Sequence, residues 1–214
     1  MPLPQLEHAA SERRVQLEPR SVFLNLPYDT KFHRLFLAYI AGVVSFGLKP
    51  RVALEVPGGV GRISRIITLI RACPYSFHDL SRVEVDIKRP HTPRFNMAVE
   101  LGLAVMLNAL DGGQHIWCVF ERDFRRVRKS TSDLAGTDVY QHDGTIRGVL
   151  REIGNALVHA ERRPNFADTL QVYRTLQSSL PAILKRSGSA TVYSARVFSE
   201  LVAMATWATQ RIVH

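Results

Sequence analysis

The sequence predicts an α/β fold: a flavodoxin-like parallel five-stranded sheet in the order 2-1-3-4-5, with helices on both faces and a C-terminal helical hairpin. Three observations predict it. From residue 21 to about 163, short apolar runs alternate with segments whose apolar residues recur at i, i+3 and i+4. Several runs are almost continuously apolar, as expected of strands covered on both faces. Gly and Pro stand at most of the junctions.

SVFLNL (21–26), bounded by Pro27, is the first strand. Phe32, Leu35, Phe36, Tyr39, Ile40, Val43 and Val44 mark a helix over 30–46, with Gly47 just past its end. PRVALEV (50–56) is the second strand, followed by a turn containing Gly58, Gly59 and Gly61. Ile63, Ile66, Ile67 and Ile70 carry the next helix to about Ala72. PYSFHDL (74–80) is the third strand, and a polar loop with Pro90 and Pro93 leads to an apolar helix over 97–110. QHIWCVF (114–120) and residues 137–141 are the last two strands, and a helix follows over 145–159. Beyond residue 163 the alternation stops. Residues 166–184 and 191–213 form two helices, the second with an apolar stripe of Val197, Leu201, Met204 and Trp207. The chain therefore divides into a tail (1–20), an α/β domain (21–163) and a helical hairpin (164–214) that packs on the sheet domain or on another chain.

Composition narrows the function. The chain has 214 residues, 46% hydrophobic and 22% charged, which excludes collagen and low-complexity disorder. Cys73 and Cys118 show no metal-ligand spacing, so neither a zinc site nor a disulfide scaffold is expected. The first twenty residues lack an apolar core, and no stretch approaches the roughly 20 apolar residues of a membrane span. A cytoplasmic protein is expected. Lys and Arg number 28 against 19 acids, a net charge of +9 that attracts anions. Arg122, Arg125, Arg126, Arg128 and Lys129 form the densest basic run; it suits a solvated loop, or weakly a phosphate or nucleic-acid contact.

In doubly wound sheets, ligands lie beyond the carboxyl ends of the strands. The polar residues expected there are Asn25, Tyr28 and Asp29 after the first strand, Glu55 after the second, and Asp79 and Ser81 after the third. Arg94, Phe95, Asn96 and Glu100 open the following helix. Glu100 stands out because it interrupts an apolar helix, where a carboxylate is costly unless paired or used. Gly102, two residues on, leaves room for a neighbour. The plain alternatives are a surface or Arg-paired Glu100, an Asx-turn at Asp79 with Ser81, and a satisfied core His78. Arg62 and Arg65 fall in the first turn of a helix after the glycines, a weak phosphate-binding signal.

The strings VFLNLPYD, HDLSR and PRFNMAVELG, in this order at these strand ends, resemble a group of bacterial proteins related to TIR-like and nucleoside 2-deoxyribosyltransferase-like domains. The resemblance spans about residues 21–160. It implies cleavage of an N-glycosidic bond by one glutamate, at the position of Glu100, with Asp79 and Ser81 shaping the pocket and Asn96 near the sugar. The chain lacks the D-x-G-T-x-x-E-x-G string of the deoxyribosyltransferase branch. The resemblance therefore points to NAD as substrate rather than base exchange, in a bacterial stress or antiviral defence response. Arg62, Arg65 or Arg94 would hold the pyrophosphate, Tyr28 or Phe95 would stack on a ring, and Asp79 or Asp29 would supply an acid where one is needed. No cofactor or metal is expected, and the C-terminal helices are the expected surface for self-association or a protein partner. A non-catalytic nucleotide sensor and a deoxyribosyltransferase-like enzyme stand as alternatives.

Overall fold

A computed structural model describes residues 16–59, 61–82, 95–123 and 136–212. Arg94, the polar loop at Pro90 and Pro93, most of the basic run and residues 1–15 of the tail lie outside the described residues. The elements are β1 (Ser21–Asn25), α1 (His33–Ser45), β2 (Lys49–Val52), a 3₁₀ turn (Ala53–Glu55), α2 (Arg62–Ala72), β3 (Tyr75–Asp79), α3 (Phe95–Leu110), β4 (Ile116–Glu121), β5 (Val139–Gln141), α4 (Ile146–Ala156), α5 (Phe166–Ser187) and α6 (Ala195–Ile212). The five strands are all parallel, in the order β2-β1-β3-β4-β5.

All five residues of β1 are buried, because the sheet is covered on both sides. Side chains alternate between the two faces. Val22, Leu24, Phe77 and Phe120 pack on the side of α1 and α4, while Phe23 meets Ile66, Ile70, Ala104 and Leu107 of α2 and α3. This alternation decides which strand-end residues can meet.

The second strand is shorter than the run PRVALEV suggests. Glu55 turns back to accept from the Val52 amide (2.8 Å) and from Arg51 Nε (2.9 Å), which folds Ala53–Glu55 into the 3₁₀ turn. Among the described residues Gly102 makes room for no neighbour: a Cβ there would meet no atom of theirs within 4 Å.

Helix α1 is buried from Phe36 to Ser45, since the hairpin covers the side that the sheet leaves open. Val197 and Leu201 of α6, with Val172 and Leu176 of α5, join the core of the sheet and α1. The apolar stripe of α6 is thus largely spent within the chain. Trp207 remains 49% exposed, with the Arg211 guanidinium 4.8 Å from its ring centre. The hairpin shares a core with the sheet and has none of its own. Among the described residues, no helix is long and apolar enough to cross a membrane.

Candidate functional site

A cleft of about 750 Å³ opens at the carboxyl end of β1, between the segment after it and the starts of α2 and α3. Asn25, Tyr28, Arg62, Phe95, Asn96 and Glu100 all line it, and Ile63, Ile66 and Val99 form apolar wall. Its size suits a small-molecule ligand.

Glu100 is half-buried on the wall contributed by α3. No described residue offers it a hydrogen bond or an ion pair. Burial raises its pKa from the ordinary 4.5 to about 7, and the nearby positive charge of Arg62 offsets only part of that. Arg62 is held across the cleft, where its guanidinium donates to the Val56 carbonyl and to Ala53 O (3.0 Å). It has no carboxylate partner within ion-pair distance among the described residues, so its charge stays available to the cleft.

Tyr28 is a fixed wall. Its ring lies 5.5 Å from that of Tyr193 and 6.2 Å from that of Phe36. The Tyr193 hydroxyl donates to Asp29 O, so the segment between α5 and α6 supports this side of the cleft. Burial, then the charge on Glu100, pushes the Tyr28 phenol far above its usual range, and it stays protonated. Phe95, 65% exposed, stands at the rim.

Asn25 is aimed by a chain of buried hydrogen bonds. Its Nδ2 donates to Met97 O (2.8 Å) and to His78 Nδ1 (3.0 Å). His78 must then carry its proton on Nε2, which donates to Ser76 Oγ (2.9 Å). Ser76 Oγ donates to His115 Nε2 (2.8 Å), and His115 Nδ1 donates to Cys73 O (2.9 Å). Every donor in the series finds one acceptor. Burial pushes the His78 pKa down to about 3 and lowers that of His115, so both rings are neutral. With Nδ2 committed, Asn25 Oδ1 is left as an acceptor facing the cleft. Sequence reasoning took His78 as a core residue and missed the relay, which depends on the β1–β3 register that sets Asn25 beside His78.

The remaining expected site residues lie elsewhere. Asp79 shares the face of Phe77, opposite to Asn25 and His78, because it stands one residue beyond His78 in an alternating strand. It is fully buried, and its carboxylate accepts from Tyr39 Oη (2.8 Å), His142 Nε2 (3.1 Å) and the Ser81 amide (2.9 Å). His142 Nδ1 accepts from the Gly144 amide (3.1 Å), which places the ring proton on Nε2. This Asx-turn ties β3 to the loop before α4. Ser81 Oγ accepts from the Arg122 amide (2.9 Å) and lies 3.0 Å from His142 Nε2. Asp29 pairs with Arg82 (3.2 Å) and accepts the Lys31 and Phe32 amides at the start of α1. Glu55 is spent on Arg51, and Arg65 donates to Pro57 O (3.2 Å). None of these five lines the cleft.

One carboxyl, one cation, an oriented amide and two aromatic rings therefore converge on a single cavity. The arrangement can hold a ligand that carries both positive charge and hydroxyl groups. Comparison of the chain with models of protein families, with curated proteins and with solved structures gives no match.

Proposed function

We propose that the cleft binds a nucleotide and cleaves its N-glycosidic bond at Glu100, with NAD as the substrate that suits these residues best. The observation that carries this reading is the state of Glu100: a half-buried carboxyl on a cavity wall, with no described partner. Such a group is costly to keep ionised until a positive charge arrives beside it. The pyridinium ring of NAD brings one. As the C1′–N bond breaks, both electrons pass to nitrogen and nicotinamide leaves neutral. The positive charge moves to C1′, where the Glu100 carboxylate stabilises it. Water then adds to C1′ and gives up a proton.

No acid is needed for that leaving group, which matches what the cleft offers. Asp79, the expected second acid, is fully buried on the other face and committed to three donors. An ordinary nucleoside, whose base must be protonated to leave, is a poorer fit. Asn25 Oδ1 accepts from a ribose hydroxyl, Tyr28 or Phe95 stacks on a ring, and Arg62 attracts the pyrophosphate.

The test is release of nicotinamide from NAD by the purified chain, followed chromatographically. Expected is turnover that Glu100→Gln removes, with kcat/KM rising as pH passes through about 7, where the carboxyl ionises. Turnover that survives Glu100→Gln would remove Glu100 from the mechanism. A rate that falls through the same pH range would make it a general acid instead. A rise in Tm with NAD but no product would establish a nucleotide sensor and overturn catalysis.

A further inference from the structure

The carboxyl edge of the sheet carries a second cavity, of about 480 Å³, on the side of α1 and α4. It is built from the start of α1, the residues that follow β3 and β4, and the start of α4. Among the described residues, five of its lining side chains are cationic, Lys31, Arg34, Arg82, Arg122 and Arg147, and none is a carboxylate.

The cations are supported differently. Arg82 is paired with Asp29 (3.2 Å) and Arg122 with Asp123 (2.8 Å). Lys31, Arg34 and Arg147 have no ion-pair partner among the described residues. Arg147 is nevertheless oriented, with its guanidinium 4.9 Å from the centre of the Phe166 ring. Arg122 crosses Gly144 so closely that a Cβ there would lie 2.8 Å from its side chain. Like charges drawn into one concavity repel, and solvent-facing arginines with freedom to spread would separate. Here the backbone at the ends of four elements, α1, β3, β4 and α4, holds them together.

We propose that this cavity binds a small anion carrying two or more phosphates, through its phosphate chain. Three cations without described partners and two in local pairs match an anion of multiple charge better than a single phosphate monoester. The base of any nucleoside polyphosphate is left unread. Among the described residues Phe32 is the aromatic residue of the lining, and it is only 2% exposed, so it gives no stacking platform. The same feature, with convergence into a cavity in place of a track along the surface, argues against a nucleic-acid strand. The proposal stands independently of Glu100, which lines the other cleft.

The experiment is calorimetric titration of the full chain with sodium tripolyphosphate, at about 150 mM salt where diffuse attraction is screened. One-to-one binding is expected, at least about tenfold tighter than for orthophosphate. The pair Arg34→Ala and Arg147→Ala should weaken it by about tenfold or more. The pair Arg174→Ala and Lys185→Ala, exposed on α5 outside this lining, removes the same charge and should leave it within about twofold. Glu100→Gln should leave it unchanged. No binding by the wild-type chain overturns the proposal, as do equal losses in the two double variants, which would mean net charge alone. Binding of a short single-stranded DNA that depends on Arg34 and Arg147, and that tripolyphosphate does not displace, overturns it in favour of a nucleic-acid surface.

Discussion

Replacing Glu100 by glutamine should make the protein more stable while removing the proposed activity, and the size of the gain should depend on pH. In the unfolded chain the carboxyl ionises near 4.5, and in the cleft near 7. Well below pH 4.5 both states hold the proton and the position costs nothing, and at pH 4.5 the penalty is only beginning. Between 4.5 and 7 the unfolded chain has released its proton and the folded one has not, so stability falls as pH rises. Above 7 both states are ionised and the full penalty stands. The difference between the two values corresponds to about 3 kcal/mol, which partial solvent access trims to about 1–3 kcal/mol. Glutamine keeps the shape and cannot titrate. Urea unfolding should therefore show the two proteins nearly equal at pH 4.5 and the variant more stable by about 1–3 kcal/mol at pH 8. In thermal unfolding, that gain is about 2–7 °C for a chain of this length. A variant no more stable at pH 8, or a gain independent of pH, would refute the reasoning. Either result would mean that Glu100 is well solvated or already paired, and the case for a poised carboxyl would fall with it.

Three further outcomes test the surroundings of the two strand-end clusters. His78→Phe removes one acceptor and one donor from the buried relay and should cost about 2–4 kcal/mol in urea unfolding. His78→Gln, whose amide can accept from Asn25 and donate to Ser76, should recover a good part of that; equal losses would mean that packing alone matters there. Tyr39→Phe takes one donor from the buried Asp79 carboxylate and should cost about 1.5–3 kcal/mol, with nicotinamide release unchanged. Loss of turnover at unchanged stability would put the Asp79 cluster into the chemistry after all. Gly148→Ala should cost about 3 kcal/mol or more, since its Cβ would lie 1.9 Å from the His142 carbonyl. Gly42→Ala should cost distinctly less, because its Cβ meets the flexible end of Ile153 and alanine favours the helix. Comparable Tm losses for the two would contradict that distinction.

Much of the fold was legible because its strands are short apolar runs and its helices carry a clear 3.6-residue period. The strand order 2-1-3-4-5 came from the flavodoxin-like pattern, one of the two common orders that alternation and handedness allow, and the sheet has it. The end of β2 was not legible. In VALEV nothing marks where the strand stops, and the turn is made by Glu55 reaching back to Arg51 and Val52. Glu100 could be singled out because a carboxylate in an apolar helix needs an explanation. Its neighbours on α3 could be anticipated, as could Asn25 and Tyr28 by their place after β1. Asp79 was misplaced because the strand-end rule locates a residue along the strand and does not say which face it takes. Counting from His78 settles the face, but only once the pairing of His78 with Asn25 is known. The relay from Asn25 to Cys73 joins residues distant in sequence, and no local pattern announces it.

The two carboxylates at the ends of β3 and the start of α3 show how the chain treats an acid it uses for structure and one it leaves poised. Asp79 lies fully inside the protein, where an ionised group is tolerated only with several donors, and three surround it. It thereby joins β3, α1 and the loop before α4, and a ligand would gain nothing by approaching it. Glu100 is less buried, yet no described group gives it a hydrogen bond, and Arg62 across the cleft, anchored on two carbonyls, relieves it only in part through its charge. A salt bridge between Glu100 and Arg62 would lower the folded energy and close the cavity. Arg62 is held back from it by Val56 and Ala53, and the cleft stays open with opposite charges on its two walls. Such a separation is unfavourable for folding alone. On the proposed function it would become favourable with a ligand whose cationic ring and anionic pyrophosphate lie between the two, each end beside the charge it lacks.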